Sequence, residues 1–183
     1  HHFGRNREGS VDNLNELSEL YNFQIHSVGP CLLKNKSISS TKIRDSISKG
    51  NMTLANSYLG YTFSLSGVIV KGKGIGRDLG FPTANISVKN KNKIIPSDGV
   101  YAVNIVYDKK TFKGMLNIGK NPTFANLTSS IEVHIFDFNK DIYGQYISVE
   151  FVKRIRNEIK FSNVEDLKKQ LQADKIATIN TLL

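Results

Sequence analysis

The feature that most constrains the fold is a change of hydrophobic period at Gly60. Before it, apolar residues recur every three or four positions, as on one face of a helix; after it they alternate with polar residues, as in half-buried strands. Five segments alternate in this way: 63–70, 100–107, 112–118, 131–138 and 146–153. Short strands in close succession predict an antiparallel sheet that closes into a small barrel, because closure removes exposed edges.

Two connections between these segments resemble hairpin turns. "YDKKTF" at 107–112 and "FNKDIYG" at 138–144 are short and contain Asp, Asn or Gly. They predict that the strands on either side of each connection are antiparallel neighbours.

Helices are predicted on both sides of the strand-rich region. Upstream, we expect a helix over 11–21, a short strand over "NFQIHSV" at 22–28, a helix capped by Ser39 or Ser40, and a helix over 51–59 that stops at Gly60. Downstream, Ser162 and Glu165 form an S-x-x-E pattern, which predicts a capping box at the start of a last, docking helix. Gly60 is therefore the predicted boundary between residues 1–60 and 61–183.

Composition narrows the class of protein. The 183 residues are 39% hydrophobic, enough to close a core, and no apolar run approaches the roughly 18 residues that cross a bilayer. The single cysteine, Cys31, has no partner for an internal disulfide, which fits a cytoplasmic location. A net charge of +9 would suit nucleic acid, a nucleotide or a membrane surface, but lysines scattered through loops such as "KNKNK" at 89–93 are more typical of solvated surface.

The stretch "KGKGIGRDLGFPTANI" at 71–86 is the first candidate site. Gly67 to Lys73 satisfies G-x-x-x-x-G-K, but Gly74 stands where a P-loop needs Ser or Thr, and the glycine spacing is not that of a dinucleotide fold. What remains is a loop whose N–H groups can wrap phosphates, followed by Thr83 and Asn85, whose oxygens suit magnesium. A hairpin loop with a Pro-Thr turn fits the pattern equally well.

Two acidic residues are further candidates. Alternation in "SSIEVHIFDF" puts Ile131, Val133 and Ile135 on one strand face, and Glu132 and His134 on the other. Glu132 can be a general base, although a surface carboxylate paired with a lysine is commoner; we expect an ordinary structural role for His134. Asp174 falls near the buried stripe of the last helix. There it can bind a ligand, or the packed face of the helix can simply be partly hydrated.

Six blocks together resemble the riboflavin kinase module of bacterial riboflavin kinase/FMN adenylyltransferases. In chain order they are "GKGIGRDLGFPTANI", "DGVYAV", "NIGKNPTF", "EVHIFDF", "YGQYISVEFVKRIRNEIKF" and "LKKQLQADK", covering about 120 residues from Tyr61 onward. Upstream, "FGRNREG" at 3–9 and "ISSTKIR" at 38–44 are similar to parts of the adenylyltransferase domain. The His-x-Gly-His element and most of the sheet of that domain are missing, which implies a truncated domain.

The resemblance implies a mainly β fold: a six-stranded, Greek-key-like antiparallel barrel with a C-terminal helix, preceded by an incomplete α/β Rossmann-like fragment. It implies ATP and riboflavin as substrates, FMN as product, and Mg²⁺ held by Thr83 and Asn85. It assigns Glu132 as the base for the riboflavin 5′-hydroxyl. The implied ATP-binding residues are Gly72, Lys73, Gly74, Gly76, Gly80, Pro82, Thr83 and Asn85, and the implied flavin-binding residues are Arg156, Glu158, Phe161 and Asp174.

Two other functions stay open at this point. One is FMN adenylyltransferase activity, which the missing His-x-Gly-His element disfavours in this chain. The other is a non-catalytic barrel that binds nucleic acid, although such barrels stack bases on exposed aromatics, and the aromatic residues here lie within alternating strands. We expect small-molecule substrates, with neither nucleic acid nor a membrane as a partner; the residues indicate no oligomeric state.

Overall fold

The computed structural model describes residues 6, 9–72, 74–120 and 129–183, which fall into two compact units, 1–38 and 39–183. In the first unit, helix α1 (Val11–Tyr21) is capped by Ser10 and Asn13. Strands β1 (Leu32–Leu33) and β2 (Lys36–Ser37) pair as an antiparallel ribbon. The Rossmann-like fragment stays a prediction.

The predicted strand over 22–28 is wrong. Asn22 ends α1 in the left-handed conformation, with φ 52°, and residues 23–30 are irregular. Val28 is 86% exposed. Alternation specifies a strand only where a neighbouring strand and a packed face accept it, and this segment has neither within the described part of its unit.

The second unit begins with two helices that pack on the barrel. Helix α2 (Ser40–Ser48) is capped by Ser39, and α3 (Met52–Leu59) runs from the Asn51 cap to Gly60, as predicted. The Asn56 side chain lies between strands: its nitrogen donates to the Phe151 carbonyl at 2.8 Å and its oxygen accepts from the Phe63 N–H at 2.9 Å. Ile47, Met52 and Ala55 of these helices belong to the hydrophobic core of the barrel. The domain boundary at Gly60 stays a prediction.

Six antiparallel strands close the barrel in the order β3-β4-β7-β6-β5-β8. They are β3 (Ser64–Val70), β4 (Ala84–Ser87), β5 (Gly99–Tyr107), β6 (Lys110–Lys120), β7 (Ser129–Ile135) and β8 (Tyr146–Arg156). Strands β5, β6 and β7 are consecutive neighbours, and β4 lies beside β7, which is a Greek-key arrangement. The predicted closed barrel is confirmed; β4 was not among the five predicted segments.

One of the two hairpin predictions is wrong. The turn between β5 and β6 is a hairpin, with Asp108 and Lys109 both at positive φ. Residues 138–144, however, do not join neighbours, because β7 pairs with β4 and β6 whereas β8 pairs with β3 and β5. This connection attaches instead to β3, where the Gly144 N–H donates to the Ile69 carbonyl at 2.9 Å.

The last helix, α5 (Val164–Leu182), packs on the outer face of the barrel. A second, smaller apolar cluster lies there, formed by Phe81, Met115 and Phe136 with Leu171 and Ile179. No helix in the described part of the chain is long and apolar enough to cross a membrane.

The Ser162–Glu165 capping box is wrong by one residue. The Asn163 side-chain oxygen accepts from the Asp166 N–H, and its nitrogen donates to the Asp166 carboxylate, both at 2.8 Å. The Asn-x-x-Asp pattern satisfies the first turn of α5 reciprocally, as the Ser-x-x-Glu pattern would one residue earlier.

Candidate active site

Glu132 lies within a row of paired residues that crosses the outer face of the barrel. On β7 it is paired with Asn85 of β4 on one side and with Asn117 of β6 on the other. The row continues through Val100 of β5 to Arg156 of β8. Directly paired residues direct their side chains to the same face. The barrel thus brings together polar side chains that are far apart in sequence.

The turn before β4 is tied to β7 at two points. The Thr83 hydroxyl donates to Oε2 of Glu132 at 3.4 Å, a long hydrogen bond. The Pro82 carbonyl lies 2.8 Å from Nδ1 of His134. Because a carbonyl only accepts, Nδ1 carries the proton. The two β7 side chains on the outer face therefore fix the backbone and the hydroxyl of this turn.

The glycine-rich loop closes onto the same turn. A Cβ on Gly72 would collide with the side-chain nitrogen of Asn85, and one on Gly76 would collide with the Phe81 carbonyl. The Phe81 N–H also donates to the Gly76 carbonyl at 2.8 Å. Glycine at these two positions is required by close approach of neighbouring atoms, which brings the loop backbone against Phe81 and Asn85.

The middle of this loop is a short helix, α4 (Ile75–Asp78), and not a wholly irregular segment. Gly74 precedes it and Gly80 follows it, with φ of 75° and 82°, conformations that favour glycine. Lys73, predicted to bind ATP, lies outside the described residues.

A buried ion pair closes the other end of the site. Asp174 of α5 is 1% exposed, and its two oxygens accept from Nε and Nη2 of Arg156 at 2.8 and 2.7 Å. The side-chain nitrogen of Gln170 also donates to Asp174 at 2.8 Å. The Arg156 guanidinium stands 6.0 Å from the centre of the Phe161 ring. This pair joins the end of β8 to α5 and fixes the start of the connection between them.

Two cavities meet at Thr83. One, of about 280 Å³, lies under α5 on the outer face and is lined mainly by apolar side chains, with Glu132 and Asn117 at its polar part. The other, of about 450 Å³, is lined by the inward-facing Val133 and Ile135, by Arg77 and by the 138–143 connection. The first is called the outer cavity and the second the inner cavity. They lie against opposite faces of β7, and Thr83 borders both.

His134 is buried between two aromatic rings. The Phe81 and Phe136 rings are each 5.5 Å from the His134 ring, centre to centre. Burial lowers the pKa of His134 below its usual value, and the Lys175 ammonium lowers it further, while the hydrogen bond to Pro82 acts in the opposite direction. The ring is therefore neutral at pH 7, with Nδ1 protonated and Nε2 free to accept.

The structure brings together most of the site residues predicted from sequence. The outer cavity is lined by Gly76, Thr83, Glu132, Arg156, Glu158, Phe161 and Asp174. Pro82 lines the inner cavity, and Asn85 pairs with Glu132 in the sheet. Gly72 lies against Asn85, while Gly80 lines neither cavity. The roles assigned to these residues stay predictions.

Comparison with known proteins identifies the family of the barrel. The family model described as Flavokinase: Riboflavin kinase matches residues 59–182, the barrel and its C-terminal helix. The chain belongs to the riboflavin kinase family.

Known members of the riboflavin kinase family are similar to this chain over most of its length. The bifunctional riboflavin kinase/FMN adenylyltransferases of Haemophilus influenzae and Bacillus subtilis are 39% and 41% identical over 94% and 78% of the chain. A crystal structure described as a macrolide-efflux protein from Streptococcus pneumoniae has a TM-score of 0.88 at 36% identity and covers 98% of this chain and 58% of that one. The chain spans 56% and 46% of those two curated relatives, about half of their length.

Sequence reasoning expected an ordinary structural role for His134, and its hydrogen bond to the Pro82 carbonyl agrees with that role. The partner itself could not be predicted, because it lies 52 residues away and no local pattern indicates it. Asn117 was not considered, because its position opposite Glu132 depends on the register of β6 and β7. The block "NIGKNPTF" contained the signal for Asn117, but only the barrel register shows which of its residues faces the site.

Proposed function

We propose that this chain is a riboflavin kinase, which transfers the γ-phosphoryl group of ATP to the 5′-hydroxyl of riboflavin and gives FMN and ADP. The observation that carries the proposal is the position of Thr83 between two cavities, with Glu132 in hydrogen-bond contact. A two-substrate transfer needs two adjoining sites that share the reacting groups, because alignment supplies much of the rate.

The outer cavity suits the flavin. Leu79, Phe81, Met115 and Leu171 supply apolar surface for a flat ring, while Glu132 supplies a carboxylate for a polar tail. The Arg156–Asp174 pair, with Glu158 and Phe161, closes its outer end. We assign Asp174 an indirect role, because both of its oxygens already accept hydrogen bonds from Arg156.

The inner cavity suits the nucleotide. Arg77 of α4 and Lys140 supply positive charge, and Ile69, Val133 and Ile135 supply an apolar wall for a base. The glycine loop, with Gly72, Gly74, Gly76 and Gly80, approaches Thr83 at Gly76. Its backbone N–H groups would bind the phosphates where these cross from one cavity to the other.

The residues present fit Mg²⁺ as the metal of a nucleotide. Thr83 offers a hydroxyl and Asn85 an amide oxygen, both hard donors, and the described residues contain no cluster of three His, Cys, Asp or Glu that would hold an ion alone. A few protein oxygens with phosphates and waters are the usual environment of Mg²⁺. When bound, the ion would neutralise charge on the phosphates.

Glu132 is the proposed proton acceptor. Phosphoryl transfer passes through a loose transition state, so the hydroxyl of riboflavin loses its proton as the new O–P bond forms and the bond to ADP breaks. Glu132 takes that proton, and the nearby Thr83 hydroxyl steadies the carboxylate by hydrogen bonding to Oε2. The loop N–H groups would stabilise charge on the transferred group.

A turnover assay with riboflavin, ATP and Mg²⁺, in which chromatography resolves FMN from FAD, tests this function. We expect FMN and ADP in equal amounts, with neither formed when riboflavin or ATP is omitted. ATP hydrolysis without FMN would contradict the proposal, as would the absence of both products from protein shown to be folded.

FMN adenylyltransferase activity is the second candidate, for the whole protein. Its support is that the relatives from Haemophilus influenzae and Bacillus subtilis are bifunctional riboflavin kinase/FMN adenylyltransferases, of which this chain spans about half. Incubating this chain with FMN and ATP and measuring FAD tests it separately. The aromatic residues Phe63, Tyr101 and Phe136 are buried, which disfavours a base-stacking nucleic-acid surface on them.

A further inference from the structure

Asn117 directs its side chain to the outer cavity beside Glu132. The two residues are directly paired across β6 and β7, so their side chains share the outer face, on strands about 4.8 Å apart. Both line the outer cavity. A ligand group that contacts the Glu132 carboxylate is therefore within reach of the Asn117 amide.

Gly119 leaves space beside this amide. It lies two residues along β6, on the same face, and a Cβ built there would be 3.2 Å from the Asn117 side-chain nitrogen and would collide with Oε1 of Glu158. The Asn117 amide thus lies between two carboxylates, Glu132 across the strand and Glu158 near Gly119. A side chain at position 119 would fill this space, so glycine keeps the polar part of the cavity open.

The Asn117 side chain is half-buried, and its amide makes no hydrogen bond to another residue in the described part of the chain. A half-buried amide that no protein group pairs gains from a ligand with matching groups. An amide offers both an acceptor and a donor, whereas an ionised carboxylate only accepts. A ligand hydroxyl also donates and accepts, so it matches the amide. The carboxylates alone would leave the acceptor capacity of that hydroxyl unused.

We infer that Asn117 is a specificity-determining residue that hydrogen-bonds a secondary hydroxyl of the ribityl chain, next to the terminal hydroxyl that faces Glu132. The inference rests on the proposed function and deepens it. It predicts that the site distinguishes flavins by their tail as well as by their ring, because the ring lies against apolar surface that Asn117 does not form.

Two flavins separate these contributions: riboflavin, and lumiflavin, which has the same ring system with a methyl group in place of the ribityl chain. The variants are Asn117→Leu, which removes the amide at similar size, and Asn117→Ser, which keeps a smaller donor and acceptor. Asn104→Leu is the matched control, because Asn104 is a half-buried asparagine on β5 that lines neither cavity. Binding is measured by quenching of flavin fluorescence.

We expect Asn117→Leu to weaken riboflavin binding about tenfold and to leave lumiflavin binding within about twofold of the parent, with Asn117→Ser intermediate for riboflavin. Asn104→Leu should bind both flavins as the parent does. Equal weakening of both flavins by Asn117→Leu would overturn the inference, since it would indicate a change in pocket shape; unchanged riboflavin binding would overturn it too.

The same data keep the two proposals apart. If the parent chain forms FMN and the Asn117 variants keep parental affinity for riboflavin, only the role of Asn117 is wrong. If the parent chain binds neither flavin, the riboflavin kinase proposal fails and the role of Asn117 fails with it. Should Asn117→Leu lose its thermal unfolding transition, Asn117→Ser decides by the same criterion: weaker riboflavin binding with unchanged lumiflavin binding supports the inference, and any other result overturns it.

Discussion

The two faces of β7 differ in chemistry although both are largely covered. The inward face presents Ile131, Val133 and Ile135, which are 6%, 1% and 7% exposed. The outward face presents Glu132 and His134, and His134 is only 8% exposed. Burial alone therefore does not separate core from site. What separates them is the polarity of the β7 side chains: Glu132 and His134 make hydrogen-bond contacts with Thr83 and Pro82, whereas the three inward side chains are apolar.

This difference teaches how one strand can serve both stability and function. The inward face belongs to the continuous apolar core of the barrel, where the requirement is volume. The outward face is covered by α5 and by the turn that contains Pro82 and Thr83, both of which arrive from elsewhere in the chain. Ile131, on the inward face and in neither cavity, should thus affect mainly the free energy of unfolding, whereas Glu132, on the outward face, should affect mainly the rate.

The largest effect is expected for Glu132→Gln on the outward face. The amide keeps the shape of the carboxylate but cannot accept a proton, so kcat should fall by about a hundred- to ten-thousand-fold. Riboflavin affinity and the thermal midpoint should stay close to those of the parent. The rate is measured as FMN formed per minute at saturating ATP. A turnover within threefold of the parent would remove Glu132 from the role of base.

The next largest effect concerns the contact that covers the outward face. Asp174→Asn leaves the Arg156 guanidinium without its charged partner, and breaking a pair as buried as this one should destabilise the protein by about 3 kcal/mol. Urea unfolding measures this value. Asp45→Asn is the control, because the Asp45–Lys49 pair is also a single ion pair but is largely exposed, and its loss should cost less than about 1 kcal/mol. Equal losses in the two variants would show that burial of the Asp174 pair is unimportant.

On the inward face, Ile131→Ala should lower the free energy of unfolding by about 3 kcal/mol through loss of apolar contact and the cavity left behind. Ile131 lines neither the inner nor the outer cavity, so kcat should stay near that of the parent at a temperature where the variant is folded. Ile176→Ala on α5, where the side chain is 53% exposed, is the control and should change stability by about 0.5 kcal/mol. A kcat loss as large as that of Glu132→Gln would abolish the distinction between the two faces.

The sequence pattern within a single segment was enough to predict which β7 side chains share a face and where several helices lie. Alternation alone assigned Ile131, Val133 and Ile135 to one face and Glu132 to the other, because the period of a strand is two whatever its neighbours are. Helical periodicity predicted helices over 11–21 and 51–59, and the structure has them over 11–21 and 52–59, where caps such as Asn51 and Gly60 are local. The order of the strands did not follow from pattern, and the 138–144 connection was misassigned for that reason.

The parts that were missed depend on contacts between distant segments. Strand β4 has only four residues and lies inside the motif that was interpreted as a turn, so no periodicity marks it. The sequence allowed two interpretations of Asp174, a ligand-binding residue or a polar position in the packed face of the helix. The structure shows instead that Asp174 binds Arg156, at the end of β8. Resemblance supplied the list of site residues, but not the two cavities on opposite faces of β7.

A smaller effect is expected for Thr83→Val, which keeps the shape of the side chain where the two cavities meet and removes its oxygen. We expect the KM for Mg-ATP to rise about tenfold, because one ligand oxygen is lost, while riboflavin affinity stays near that of the parent. Steady-state kinetics over a range of Mg-ATP concentrations measure this. Thr83→Ser, which retains the hydroxyl, should behave like the parent; parental kinetics for Thr83→Val would exclude a metal or phosphate role for this hydroxyl.

The smallest effect concerns His134, where the outward face is both polar and buried. Burial lowers the pKa of His134 in the folded protein, whereas in the unfolded chain it keeps its ordinary value of about 6.5. As the pH falls below about 6.5, the unfolded chain binds a proton that the folded protein does not, so stability is lost with falling pH. Lys175 acts in the same direction, since its positive charge disfavours an imidazolium.

The variant His134→Asn tests whether His134 causes this loss of stability, because asparagine can still donate to the Pro82 carbonyl but does not titrate. We expect the free energy of unfolding to fall less for the variant than for the parent between about pH 7.5 and about pH 5.5, as measured by urea unfolding. The contributions of groups common to both proteins cancel in the difference. Parallel losses in the two proteins would mean that His134 does not stay neutral in the folded state. The outward face would then accept a positive charge beside Glu132, and its contrast with the inward face would be one of packing alone.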